Sequence, residues 1–185
     1  MKAEPTRISS LRVLTPKVFE DHRGYFFESY NEQQMTLALG EMPPHFVQDN
    51  QSRSGYGVLR GLHFQVYPHA QTKLVRVISG EIFDVVVDIR PDSDTFGDWE
   101  GVYLSAKNRK QLFIPPGFAH GFLVVSSMAE ILYKCDAFYA PDFERVLAYN
   151  DPSLGIDWPL PEQDLILSEK DKKGVHLREM PHLKF

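Results

Sequence analysis

Strand signals dominate the hydrophobic pattern of this chain. Lys73-Leu74-Val75-Arg76-Val77-Ile78 alternates polar and apolar side chains for part of its length, and Ser79-Gly80 marks a turn. Glu81 to Arg90 is a second strand, rich in β-branched residues, which Pro91-Asp92-Ser93-Asp94 breaks. Further strands are predicted at Gly101 to Ser105, Gln111 to Ile114, His120 to Val125 and Glu130 to Asp136. In the first half only Asn31 to Leu39 reads as a helix. The last third is more irregular: it holds Pro159 and Pro161, and a short helical stretch is predicted from about Pro161 to Lys173. Many short strands punctuated by Gly and Pro imply an all-β fold, an antiparallel sandwich or barrel. No linker, repeat or low-complexity tract interrupts residues 1–185, so one domain is expected.

Composition narrows the partners. With 43% hydrophobic and 24% charged residues the chain is an ordinary soluble protein. Its net charge of −5 argues against a nucleic-acid partner, so any phosphate must be met by a local cluster of Arg and Lys. One cysteine, Cys135, precludes an intrachain disulfide and carries no nucleophile signature. Met1-Lys2-Ala3-Glu4-Pro5 lacks an apolar signal core, and no apolar run reaches the length of a membrane span. A cytoplasmic location with no membrane association is expected.

Chemistry concentrates in Val58-Leu59-Arg60-Gly61-Leu62-His63-Phe64-Gln65, in Lys73, and in Pro115-Pro116-Gly117-Phe118-Ala119-His120-Gly121. Polar groups facing a strand-lined interior are costly unless paired or used. Histidines accept protons near neutral pH, and cations beside them stabilise an enolate or a phosphate. Gly57 followed after five residues by His63 is similar to the start of the first cupin motif, and Pro115-x-Gly117-x-x-His120 to the core of the second. Cupins are jelly rolls whose mouth commonly holds a metal on a His-x-His pair and a downstream Glu. Here Gln65 replaces the second histidine, no Glu follows until Glu81, and His69 sits in a turn context. His63 and His120 alone are too few ligands for a transition metal. The reading is a cupin-type antiparallel jelly-roll barrel, with a partly helical C-terminal segment, that has lost its metal and kept its pocket.

Across nearly its whole length the chain resembles the dTDP-4-dehydrorhamnose 3,5-epimerase family of metal-independent cupins. The resemblance runs through Asp21 to Glu28, Gln48-Asp49-Asn50, Arg60 to Gln65, His69 to Lys73, Phe83 to Asp88, Ile114 to Phe122 and Leu132-Tyr133-Lys134. It continues through Ala140 to Glu144, Asn150-Asp151-Pro152, Ile156 to Pro159 and Ser168-Glu169-Lys170-Asp171. Thr72 departs from a usual Gly, and Phe64 from a frequent Tyr.

The resemblance implies cofactor-free epimerisation at C3 and C5 of dTDP-4-keto-6-deoxy-D-glucose, giving dTDP-4-keto-L-rhamnose. It also implies a homodimer in which the N-terminal strand region contributes to the partner. Both carbons flank the C4 carbonyl, so each inversion needs a base on one face, an acid on the other and a donor at the carbonyl oxygen. His63 suits the base, held by Asp171; Tyr133 suits the acid and Lys73 the enolate stabiliser. By resemblance Arg23, Glu28, Gln48, Asp49, Asn50, Arg60, His120, Glu144 and Lys170 line the substrate site. Arg23, Arg60 and Lys170 are candidates for the diphosphate. Phe19 and Tyr139 are candidates for stacking on thymine.

Each assignment has a plainer competitor. A lone His63 would be a satisfied barrel histidine, Tyr133 a core residue, and Lys73 a snorkelling strand residue. Ser168-x-x-Asp171 is also a capping pattern, and Asp21-His22-Arg23-Gly24 a turn. His22, His45, His176 and His182 read as surface. Two other functions compete: an epimerase inverting only C3 or only C5, whose pocket shape a sequence does not show, and a non-catalytic sugar-nucleotide-binding cupin. Keeping a base, an acid and an orienting carboxylate together disfavours the second. Gln65 disfavours a metal-dependent cupin.

Overall fold

A computed structural model describes residues 1–180 and 183–185. In chain order the elements are β1 (Lys2–Pro5), β2 (Arg12–Thr15), β3 (Val18–Asp21), β4 (Gly24–Phe27), α1 (Glu32–Leu39) and β5 (Gln48–Gly55). They continue with β6 (Leu59–Gln65), β7 (Lys73–Ser79), β8 (Glu81–Asp88), β9 (Trp99–Ser105), β10 (Gln111–Ile114), β11 (Phe118–Val124), β12 (Met128–Cys135) and β13 (Glu144–Val146). Two antiparallel sheets form the jelly roll, one in the order β1-β2-β10-β7-β12-β5 and the other β13-β6-β11-β8-β9. β3 and β4 stand apart as a two-stranded hairpin.

The apolar alternation predicts which faces meet. Val75, Val77, Leu112, Ile114 and Ile131 of the first sheet pack against Ile82, Val86, Phe122 and Val124 of the second, all buried. The five-stranded sheet is covered on its outer face too. There Leu62, Phe83, Val85, Val87 and Ala119 meet Leu147 and Leu154, with Ile156, Trp158 and Leu177 of the C-terminal segment. That double burial explains why Val85-Val86-Val87 is an unbroken apolar run. On the outer face of the six-stranded sheet α1 inserts Met35 beside Leu14, Leu74 and Phe113. Asn31 caps this helix through Gln34 N, and Gly40 closes it at φ 80°.

The C-terminal segment departs from expectation. Instead of one helical stretch from Pro161 to Lys173 there are two separate 3₁₀ turns, Glu162–Asp164 and Asp171–Lys173. Between them the chain is extended, because Ile166 satisfies backbone groups next to β6: Ile166 N donates to Gly57 O at 2.8 Å and Leu59 N donates to Ile166 O at 3.0 Å. This pairing outweighs local helix propensity and carries the following residues across β6. Of the histidines read as surface, His22 and His45 are exposed and His176 is half-buried near Asp151; His182 lies outside the described residues.

β6 meets β11 through a register shift: His63 pairs with His120, but Arg60 pairs with Phe122, so an extra residue sits between them. The shift puts Arg60 and His63, three residues apart, on the same face. It requires Gly61, at φ 125°, where a Cβ would lie 2.5 Å from Gly121 Cα.

At the end of β8, Asp88 is fully buried and accepts five hydrogen bonds. Arg90 donates through N, Nε and Nη2, and Ser93 and Thr95 through their hydroxyls, at 2.6–3.0 Å. Burial alone would raise this carboxyl; the hydrogen bonds outweigh it and hold Asp88 below the ordinary aspartate range. A carboxyl depressed in the folded state adds stability above its unfolded value of about 4, lost as pH falls through the folded value. Asp88→Asn should therefore destabilise the protein by about 2–4 kcal/mol at neutral pH. Denaturant unfolding of both proteins should show the gap narrowing as the pH is lowered below the aspartate range; a gap independent of pH would contradict this account.

Candidate active site

Beside the apolar core lies a cavity of about 250 Å³ between the two sheets. Strand periodicity supplies one wall. Tyr133 pairs with Asn50 and Val75, and Cys135 with Gln48 and Lys73, so Gln48, Asn50, Lys73, Tyr133 and Cys135 share a face and line the cavity. By the same alternation Asp49 points outward, where it accepts from Lys134 Nζ at 2.9 Å. The other sheet supplies His63, Gln65 and Glu144, the last two paired across β6 and β13.

His63 Nε2 lies 2.6 Å from Asp171 Oδ1. Asp171 is buried, takes a 2.7 Å hydrogen bond from Ser168 Oγ on Oδ2, and returns its own N–H to that hydroxyl at 3.2 Å. The capping reading and the orienting reading of Ser168-x-x-Asp171 thus hold together: the turn that caps itself also aims the carboxylate. Burial would raise the Asp171 carboxyl, but the hydrogen bonds from His63 and Ser168 prevail and keep it below its usual range. It is ionised at neutral pH and fixes a proton on Nε2. Nδ1 has no hydrogen-bond partner among the described residues, which makes it the nitrogen free to accept one.

Lys73 Nζ donates to His63 O at 3.4 Å. Burial lowers the Lys73 ammonium, while Cys135, Asp84 and Glu144 pull in the opposite direction. In either charge state Nζ carries N–H donors. Tyr133, on the sheet opposite His63, is raised above the ordinary phenol value chiefly by burial, so its hydroxyl is protonated at neutral pH. Cys135 is pushed up to about 11 by burial and is a neutral thiol, in keeping with its lack of a nucleophile signature. Burial would raise Glu144, yet hydrogen bonds from Lys170 and from Tyr139 (2.7 Å) hold it low. Arg60 reaches across to Ser54 Oγ at 3.0 Å.

His120 is buried with Nε2 3.0 Å from both oxygens of Asp84; it does not line the cavity. Phe19, Arg23 and Glu28 are not brought to this cavity either. Phe19 and Arg23 sit on the β3–β4 hairpin, with Arg23 paired to Asp21 in the turn; Glu28, just after β4, accepts from Asn31. A second cavity of about 300 Å³ separates the hairpin from the outer face of β7 and contains Arg76 and Arg109, none of the expected site residues. Thr72, in place of a family glycine, needs no special backbone: Arg109 is the only non-glycine at positive φ among the described residues.

Gln65, Gln71, Cys135 and Asp84 were not singled out as site residues by the sequence. The signal for two of them was period-two spacing, Gln65 from His63 and Cys135 from Tyr133. Among the described residues no group of three or more His, Cys, Asp or Glu side chains is arranged to hold a metal. His63 and His120 each turn Nε2 to a carboxylate, and Gln65 commits its amide to backbone. No helix among the described residues is long and apolar enough to cross a membrane.

Comparison with known proteins bears on the family and the fold. Residues 5–179 match the model of the family described as dTDP-4-dehydrorhamnose 3,5-epimerase. An enzyme of that name from Pseudomonas aeruginosa is 55% identical over 174 residues, covering 94% of each chain. The solved dTDP-6-deoxy-D-glucose-3,5-epimerase of Legionella pneumophila, in complex with dTDP-4-keto-L-rhamnose, superposes with a TM-score of 0.93 at 48% identity, over 99% of this chain and 97% of that one. A 3'-monoepimerase from Streptomyces bikiniensis, in complex with dTDP-quinovose, is also similar, with a TM-score of 0.87 at 33% identity over 96% and 88% of the two chains. With the family model matched over residues 5–179 and a relative 55% identical over 94% of each chain, the chain belongs to the dTDP-4-dehydrorhamnose 3,5-epimerase family.

Proposed function

We propose that the protein epimerises dTDP-4-keto-6-deoxy-D-glucose at C3 and C5 to dTDP-4-keto-L-rhamnose, as a single cytoplasmic domain. The observation that carries this reading is the opposition of two proton-handling groups across one cavity, His63 on β6 and Tyr133 on β12, with Lys73 beside them. His63 Nδ1 removes the proton next to the C4 carbonyl, and the electron pair moves into an enolate whose oxygen is met by Lys73 Nζ. Asp171 stabilises the imidazolium that results. Tyr133 delivers a proton to the opposite face of the carbon, which inverts it. Protons are exchanged with no net redox change, so the scheme requires no cofactor.

The reading extends to the substrate's nucleotide. Tyr139, Gln48, Asn50 and Glu144 line the cavity; Arg60, whose charge acts on Tyr133, and Lys170, bonded to Glu144, do not line it themselves, and we assign them to the diphosphate. Asp49 acts indirectly, by holding Lys134, and His120 supports the floor through Asp84. Phe19, Arg23 and Glu28 have no place in the same chain's cavity. We assign them to the partner's cavity in a homodimer, with the hairpin as the arm. The hairpin exposes Phe19, Tyr25 and Phe26 by 53%, 59% and 66%, apolar surface that an arm seated on a second subunit would cover.

In deuterated water, wild-type protein should place solvent deuterium at C3 and C5 of the substrate, read by NMR. His63→Ala and Asp171→Asn should lower turnover by about 10²–10⁴-fold while leaving dTDP binding nearly unchanged. Near-normal turnover by folded His63→Ala would remove it as the base. Tyr133→Phe should continue to wash deuterium into the substrate while forming little inverted product. Label at one carbon only would establish a single-carbon epimerase, and tight dTDP binding without exchange a non-catalytic binder.

Co-expression of Arg23→Ala with His63→Ala tests the arm. If Arg23 acts across the dimer, each mixed dimer contains one intact site, and random pairing restores up to about a quarter of wild-type activity. No recovery above the two parents would place Arg23 in its own chain's site or in the scaffold.

A further inference from the structure

Three glutamine side chains hold one short stretch of backbone at the edge of the cavity. Residues 137–140, between β12 and the 3₁₀ turn Pro141–Phe143, have no regular secondary structure. Gln71 Nε2 donates to Ala137 O at 2.8 Å, and Gln65 Nε2 to Phe138 O at 3.3 Å. Tyr139 N donates to Gln48 Oε1 at 3.0 Å, and Ala140 N to Gln65 Oε1 at 2.7 Å. Four consecutive residues are thus gripped from both sheets, since Gln48 lies on β5 and Gln65 on β6. Gln65 also donates to His69 O at 2.6 Å, tying the neighbouring loop into the same knot.

Gln65 lines the cavity, is 4% exposed, and has both its N–H groups and its carbonyl engaged by backbone. It keeps no N–H for a ligand, so its part is to place other groups. The group it places is Tyr139, a residue about half exposed whose hydroxyl is fixed on Glu144. A ring anchored at both its backbone and its hydroxyl offers a preset flat surface at little entropic cost on binding.

We propose that Gln48, Gln65 and Gln71 form a clasp that presents Tyr139 as a rigid platform for the base of the nucleotide, so that Gln65 and Gln71 are positioning residues for ligand recognition and not for proton transfer. This rests on the reading of the cavity as a nucleotide-sugar site. Because the clasp is made of neutral amides, it does not titrate with the acid–base groups beside it.

The experiment compares wild type with Gln65→Met, Gln71→Leu, Tyr139→Ala and the Gln65→Met/Tyr139→Ala double variant. In ligand-free protein, amide hydrogen exchange at Tyr139 and Ala140 should rise by about tenfold or more in Gln65→Met, with β7, β8 and β11 still protected. Gln71→Leu, at a less buried position, should loosen the same segment if Gln65→Met loosens the whole fold. Unchanged exchange at 137–140 in both variants overturns the clasp. KM for the nucleotide sugar and Kd for dTDP should rise about tenfold in Gln65→Met while kcat stays within about threefold. Against Tyr139→Ala, the added Gln65→Met change should cost less than about twofold, because the two residues act through one contact. A fall in kcat at constant KM, or full additivity, overturns the positioning role. If wild type itself neither binds dTDP nor turns over the sugar, the cavity reading fails instead, and the exchange data judge the clasp separately.

Discussion

The constraint that shapes the site is the close passage of β6 past β11 at Gly61 and Gly121. A Cβ on Gly61 would lie 2.5 Å from Gly121 Cα, and one on Gly121 would lie 2.6 Å from Arg60 O. Neither strand tolerates a side chain there, and Gly61 has a backbone conformation that other residues adopt only at a cost of about 1–3 kcal/mol. This approach produces the register shift that turns Arg60 to the same face as His63. It also brings Gly61 N to within 3.4 Å of Asp171 Oδ1, so the carboxylate that orients the base is seated on the same irregularity. The apparent motif Arg60-Gly61-Leu62-His63 is therefore a packing solution before it is a chemical one.

Where side chains face an apolar interior, the sequence states the fold clearly. β10 has the bounds expected from its pattern, and the ends of β7, β8, β9, β11 and β12 fall within two residues of theirs, because their inward positions are mostly Val, Ile, Leu and Phe. β5 was not legible. Its sequence, Gln48-Asp49-Asn50-Gln51-Ser52-Arg53-Ser54-Gly55, holds no apolar residue, since one face lines a polar cavity and the other meets solvent. Hydrophobic periodicity disappears where the cavity is. The C-terminal segment failed for a different reason: the partner that makes Ile166 extended, the backbone at Gly57 and Leu59, lies more than a hundred positions earlier. For the site, His63 and Lys73 stand out as polar groups in strand-like sequence, whereas Tyr133 and Asp171 come through family resemblance, and spacing alone does not join Asp171 to His63. Arg23, Phe19 and Glu28 were named by the same route but stand outside this chain's cavity, a placement no single-chain pattern encodes.

The cavity divides its labour by charge. His63, Glu144, Lys170 and Asp171 form an interlocked set of ionisable groups, in which burial is opposed by hydrogen bonds at each carboxylate. The edge that carries Tyr139 is held by neutral amides. Gln65, at the position the sequence motif reserves for a second histidine, joins the loop at His69 to residues 138–140 through three hydrogen bonds.

Asp171 reaches His63 across 108 residues of chain. The carboxylate that orients the base comes from outside both sheets: the extended segment at Ile166 pairs beside β6, and the Ser168–Asp171 turn that follows lies under the imidazole. A change that loosens that pairing therefore acts on the base through Asp171, far along the chain from the strand that carries His63.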